Sequence, residues 1–189
     1  MKEELLEIRW HGRGGQGAVT AARILAKAVV ADGKYAQAFS EFGPERRGAP
    51  VRAFTRISPS FFRGFYGITR PHIVMVLDDR LLETVDVTEG LLPEGMVVVN
   101  TVHDVRTALR KTPEIQISTV DASGIARECT GHPIPNAPML GALVKVKPVI
   151  ELRTLIESFR ASLEGKFSAE VIKTNITAIR RAYEEVKRA

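Results

Sequence analysis

Leu6-Glu7-Ile8-Arg9-Trp10-His11-Gly12-Arg13-Gly14-Gly15-Gln16-Gly17-Ala18-Val19 is the stretch on which the fold turns. Leu6 to His11 alternates apolar and polar residues, the period of a half-buried strand. Residues 18–30, rich in Ala, Ile, Leu and Val, then read as a buried helix that Asp32-Gly33 stops. Between them Gly12, Gly14 and Gly17 fit the pattern G-x-G-x-x-G. Such a loop turns sharply, lets a ligand approach the backbone and aims the first helical N–H groups at an anion. Gly12, Arg13, Gly14, Gly15, Gln16 and Gly17 are therefore candidate phosphate contacts, with Arg13 offering a charge-assisted hydrogen bond. Tight strand-to-helix packing at a subunit contact explains the same glycines equally well. A dinucleotide also needs an acid near the end of the second strand, and Glu41 keeps that reading open.

Outward from this unit the same alternation of element types continues. Residues 34–39 and 51–57 read as strands, and residues 73–77 form a continuous apolar run ending at Asp78-Asp79, the mark of a buried parallel strand. Residues 96–100 and 115–120 repeat the pattern, the latter ending at Asp121. Residues 58–67, with Phe61, Phe62, Phe65 and Tyr66, suggest a short hairpin or turn on the sheet, and residues 81–87 a short helix. Helices are expected over 122–130, 148–163 and 168–186, the last capped by Ser168, with a short apolar segment at 139–144. The expectation is an α/β fold over a single domain, residues 1–189. It is a three-layer αβα arrangement with a Rossmann-like, mostly parallel sheet and a helical C-terminal part.

Composition bounds the chemistry. The chain has 189 residues, 44% hydrophobic and 26% charged, with a net charge of +5 spread along its length. Weak attraction to an anionic ligand or acidic partner fits that charge, whereas no nucleic-acid-binding motif accompanies it. No apolar stretch reaches the roughly 18 residues of a membrane span. The charged start, Met1-Lys2-Glu3-Glu4, lacks a signal segment, so a cytoplasmic location is expected. A single cysteine, Cys129, leaves no internal disulfide and no multi-thiolate metal site, and it is expected to be a half-buried helix residue. His11, His72, His103 and His132 show no metal spacing and are expected in surface or capping roles; Asp78 and Asp121 are expected to cap helices.

The remaining unusual segment is Phe39-Ser40-Glu41-Phe42-Gly43-Pro44-Glu45-Arg46-Arg47-Gly48-Ala49-Pro50-Val51. Prolines stiffen it, and paired Glu and Arg suit contacts to a partner or a phosphate. The glycine loop, residues 33–39 and this segment, followed by Val76-Leu77-Asp78, Val99-Asn100-Thr101, Val120-Asp121-Ala122, Ile134-Pro135-Asn136-Ala137-Pro138-Met139-Leu140-Gly141-Ala142 and Ala182-Tyr183-Glu184-Glu185, resemble in order the gamma subunit of the 2-oxoacid:ferredoxin oxidoreductases. Arg47-Gly48-Ala49-Pro50 looks like the pyruvate branch, with the 2-oxoisovalerate branch second.

The resemblance implies a heteromeric enzyme that decarboxylates a 2-oxoacid oxidatively, forms acyl-coenzyme A and reduces ferredoxin. It implies alpha, beta and delta partner subunits that carry thiamine diphosphate, Mg and 4Fe-4S clusters, and a chain here with no cofactor, metal or catalytic residue of its own. Coenzyme A, as substrate, is expected at residues 12–17. Glu45, Arg46, Arg47, Asn136 and Met139 are expected to face partners, and no nucleic acid or membrane is implied. A free-standing Rossmann-type nucleotide-binding protein, built on Gly12, Gly14, Gly17 and Glu41, is the alternative from another class.

Overall fold

Side chains along β1 (Leu6–Arg13) point alternately to two unlike layers. Ile8 and Trp10 enter the main apolar core, while Glu7, Arg9 and His11 face the other way. The structure, a computed structural model, describes residues 5–41, 49–64, 67–109 and 115–189. The Trp10 indole donates to Thr55 Oγ1 at 3.0 Å, and that hydroxyl donates to the Ala22 carbonyl at 3.3 Å. This chain of bonds ties β1 and β3 (Pro50–Ser58) to α1 (Ala18–Ala31).

Helix α1 buries Ala18, Ala21, Ala22, Leu25, Ala28 and Val29, a stripe of mostly small residues that lets it lie close on the sheet. Gly33, at φ 82°, ends it by donating to the Val30 carbonyl. The chain then runs through β2 (Tyr35–Glu41) into β3, which returns antiparallel between β2 and β1. β4 (Ile73–Val76), β5 (Met96–Asn100) and β6 (Gln116–Val120) extend the sheet on the other side of β1, each parallel to its neighbour. A two-residue strand, β7 (Lys187–Arg188), closes that edge antiparallel. The order is β2-β3-β1-β4-β5-β6-β7, a four-strand parallel centre with antiparallel flanks.

One face is packed by α1, α3 (Ala122–Thr130), α4 (Asn136–Val146), α5 (Leu152–Leu163) and α6 (Ala169–Glu185). α4 is apolar all round and buries every residue from 137 to 144, as expected of a helix inside a core. The other face is covered more thinly, with Val74, Val76, Val97 and Val99 meeting Val87, Val105 and Leu109, the last on α2 (Arg106–Leu109). Asp121 and Ser168 cap α3 and α6, accepting from the Gly124 and Val171 amides as expected from sequence.

Three local expectations change. The helix expected over 81–87 is a 3-10 turn at Asp79–Glu83, after which the Thr88 amide and hydroxyl both donate to Asp86 and favour a turn. Of the hairpin or turn expected in the aromatic segment after β3, the hairpin falls away, since its described residues form no strand, and Phe61 stays 65% exposed with its ring edge-on to Tyr35. The apolar stretch at 139–144 is the middle of the longer helix α4.

The contact between α4 and α6 is made at backbone distance. A Cβ added at Gly141 would stand 2.0 Å from the Ile179 carbonyl oxygen. Gly141→Ala is expected to destabilise the chain by about 3 kcal/mol, the upper range of core overpacking. Thermal unfolding should show this as a midpoint lowered by roughly 6–12 °C; an unchanged midpoint would mean that the helices separate at little cost.

Candidate functional site

β1, β4, β5 and β6 all end on one side of the sheet, and the loops leaving them meet there. Connections from β1 lead toward β2 and β3, whereas β4 and β5 lie on its other flank. The crevice beyond β1 and β4 is thus a topological switch point, the place where open α/β sheets bind ligands.

The glycine loop is closed on itself. Gln16 Oε1 accepts from the Arg13 amide at 2.7 Å, and the Gln16 amide donates to the Arg13 carbonyl at 3.0 Å. Gly17 caps α1 at φ 79°, a left-handed conformation, without a side-chain cap bond. A Cβ there would also lie 2.7 Å from Asn136 Nδ2, so the start of α4 rests directly on the loop. Gly12 is packed nearly as closely, its added Cβ falling 3.2 Å from that of Ala18. Close packing thus accounts for Gly12 and Gly17. Gly15, exposed at φ 96° with open space beside it, marks the outer tip.

Asp78 is the anchor of the crevice. Its side chain is only 3% exposed and accepts from Gln16 Nε2 at 2.8 Å, Arg80 Nε at 2.8 Å and Arg80 Nη2 at 2.7 Å. Arg13 Nε lies 3.2 Å from the same carboxylate. The bonds from Arg80, aided by Gln16 and opposed by burial, pull its pKa down to about 2. Asp79 turns to the neighbouring strand end and accepts from the Thr101 hydroxyl at 2.6 Å. Asn100 Nδ2 donates to the Leu77 carbonyl and Ser123 Oγ, both at 2.8 Å. Charges of Arg13, Arg80, Asp78 and Asp79 balance, so the crevice is an ion network and not a bare basic patch. Arg80 keeps its side chain 70% exposed, leaving guanidinium donors toward solvent, whereas Arg13 is 28% exposed.

The other expected residues fall out unevenly. Glu45, Arg46 and Arg47 lie outside the described residues. Asn136 joins the glycine loop, whereas Met139, expected to face a partner, is fully buried in the main core because α4 is enclosed on all sides. Glu41 ends β2 as expected, but β3 separates β2 from β1, and the Glu41 carboxylate pairs with Arg52 at 2.6 Å. An acid two strands away and already paired does not serve the ribose of a dinucleotide seated on the glycine loop, so that reading loses its geometric support. His11, expected at the surface, is 3% exposed because it faces inward on the thinly covered side of β1. Cys129 is half-buried on α3 as read from sequence. Among the described residues no group of three or more His, Cys, Asp or Glu is placed to hold a metal ion, and no helix is long and apolar enough to cross a membrane. Sequence reasoning missed the role of Arg80, whose only signal was its place just after an acid-ended buried strand.

The depressed pKa of Asp78, about 2 against an ordinary 3.8, means that the ionised carboxylate stabilises the fold. That contribution is complete above about pH 4 and is lost as pH falls through the folded value. Asp78→Asn is expected to cost about 2 kcal/mol at pH 7, with the gap from the parent chain closing between about pH 4 and 2. Urea denaturation across that range measures it; a gap independent of pH would assign the loss to shape instead of charge.

With the crevice described, the chain can be set beside known proteins. The family model for pyruvate ferredoxin/flavodoxin oxidoreductase matches residues 7–185. The chain is 47% identical over 184 residues to pyruvate synthase subunit PorC of Methanothermobacter thermautotrophicus, covering 97% of each protein. It is 50% identical over 184 residues to the pyruvate/ketoisovalerate oxidoreductases common subunit gamma of Thermococcus litoralis, covering 96% of this chain and 97% of the relative. The crystal structure of pyruvate oxidoreductase subunit PORC from Thermotoga maritima superposes with a TM-score of 0.86 at 43% identity over 99% of each chain. From residue 7 to residue 185, then, this chain belongs to the pyruvate ferredoxin/flavodoxin oxidoreductase family.

Proposed function

We propose that this chain is the gamma subunit of a multisubunit oxidoreductase that takes pyruvate, or a branched 2-oxoacid such as 2-oxoisovalerate, to the acyl-coenzyme A and reduces ferredoxin. The observation that carries the reading is near end-to-end similarity to subunits named for that role, at 47% and 50% identity. Alpha, beta and delta subunits complete the assembly in the cytoplasm. Thiamine diphosphate with Mg, and the 4Fe-4S clusters, are read as belonging to those partners, since a single cysteine gives this chain no multi-thiolate ligand set. Carbon–carbon cleavage and electron transfer then occur outside this chain, which supplies shape and a share of the coenzyme A site. Glu45, Arg46, Arg47 and Asn136 face the partners or the entrance they form.

The coenzyme A contact falls on the switch-point crevice. Coenzyme A carries phosphates, and the largely exposed Arg80 guanidinium and the Arg13 charge lie beside the exposed tip at Gly15. The balanced charge favours contact with one phosphate at the mouth over deep burial of an anion. In the assembled complex Arg13→Ala is expected to raise the KM for coenzyme A about tenfold, one charge-assisted hydrogen bond, while kcat at saturating coenzyme A stays within about twofold. An unchanged KM would remove the loop from the site and leave the glycines to packing alone. Purified by itself, the chain should reduce no ferredoxin or dye with any 2-oxoacid; co-expressed with its neighbours, it should co-purify with a thiamine-binding and a ferredoxin-like subunit.

A further inference from the structure

The face of the sheet away from the five packed helices carries its side chains in cross-strand rows over β2, β3 and β1. Gln37, Arg56 and Glu7 are register partners, then Phe39, Phe54 and Arg9, then Glu41, Arg52 and His11. The first row is closed: the fully buried Arg56 side chain donates to Glu7 at 2.8 Å and to Gln37 at 3.2 Å. In the second row Phe39 stacks on Phe54 with ring centres 5.1 Å apart.

Arg9, in that row, is only 3% exposed and donates to the Val87 and Glu89 carbonyls at 2.9 and 2.7 Å. Among the described residues it makes no ion pair, and its Nε has no hydrogen-bond acceptor. A buried guanidinium without a carboxylate is costly. Burial first and then Arg52 disfavour its charge, while Glu89, Asp86 and Glu41 favour it only through space.

The third row borders a cavity of about 410 Å³. His11, Glu41 and Arg52 supply its polar wall, and Val51, Leu81 and Val85 an apolar one. His11 is 3% exposed, and its Nε2 has no hydrogen-bond partner among the described residues. Burial first, then Arg9 and Arg52, push the imidazole down to about 3, so it stands neutral in the cell and offers one N–H and one lone pair. Arg52 spends one edge on Glu41 and is about half exposed, leaving further donors. The two charged groups of the wall, Arg52 and Glu41, balance each other, and Arg9 lies outside the lining with Glu89 and Asp86 acting on it through space.

We propose that this cavity is a binding site for a small organic or inorganic anion, a carboxylate or phosphate group that accepts from Arg52 and from His11 Nε2 while any short alkyl part rests on Val51, Leu81 and Val85. The anion supplies the acceptor that His11 Nε2 lacks among the described residues and a further acceptor for Arg52. Its polar wall comes from β1, β2 and β3 on the face opposite α1, and the cavity touches the glycine loop only at Gly12.

The test is histidine-ring NMR of the full chain, titrated separately with sodium phosphate and with sodium acetate at constant ionic strength held by chloride. The expected result is a saturable shift of the His11 imidazole signals by at least one of them, the tighter binder naming the anion's source. Arg52→Gln, at a half-exposed position, should weaken that binding about tenfold, and His11→Asn, followed by the backbone amide signal of Arg52, should weaken it comparably. Arg153→Gln, which removes an equal charge at a remote exposed site, should leave it unchanged. If His11→Asn does not fold, Arg52→Gln alone decides. Shifts that never saturate with either anion, or that survive Arg52→Gln at full affinity, overturn the proposal.

Discussion

One buried carboxylate organises the crevice at the end of the parallel strands. Asp78 is reached by Gln16 from the glycine loop, by Arg80 from the turn that follows it, and by Arg13 from the end of β1. Gln16 in turn accepts from the Arg13 amide, so the loop's backbone is fixed through the same acid. A charge this deeply placed is tolerable only because every lone-pair direction meets a donor. The loop therefore keeps its shape without a ligand to order it, and any ligand meets a preformed surface.

The two faces of the sheet solve the burial problem differently. Toward α1 and α3 to α6 the inward residues are Ile8, Trp10, Met75, Val98 and Val120, and an apolar core needs no matching of partners. Toward the thin face β1 and β3 place Arg9, His11, Arg52 and Arg56, which must be matched individually. Arg56 is matched by Glu7, and Arg52 by Glu41. Arg9 and His11 are matched only in part, and both sit where the covering layer is a turn and a loop instead of a helix. Incomplete matching follows from cover that can approach only at carbonyls and aliphatic side chains.

Sequence patterning found the elements whose burial is regular. β1, α1, β4, β5, α3 and α6 appear within a residue or two of where alternation, apolar runs and caps placed them, since one periodicity governs each. It failed where long-range matching decides. Two residues, Lys187 and Arg188, carry no period, so their pairing with β6 could not be read locally. His11 looked like a surface residue because alternation marks which residues face away from the helices but not whether that face is covered. Met139 lay in a motif recognised by its order along the chain, and nothing local says that α4 is enclosed on every side. Arg80 was invisible as a partner of Asp78 because an acid at the end of a strand reads first as a cap, which it also is.

Glu41 shows most clearly why a local motif underdetermines function. Strand, glycine loop, helix and a following acid are the written form of a dinucleotide site, yet the meaning of the acid depends on the second strand lying parallel beside the first. Here β2 lies at the edge, antiparallel to the β3 that intervenes, and Glu41 neutralises Arg52 on the thin face. What survives is the part of the motif that strand order does not alter: a switch point at the end of β1, a glycine tip and nearby guanidinium donors. A phosphate can be met there by groups local to β1 and β4, whereas a ribose two strands away cannot. The same glycine pattern therefore suits contact with a single phosphate group and not the two-ended grip of a dinucleotide.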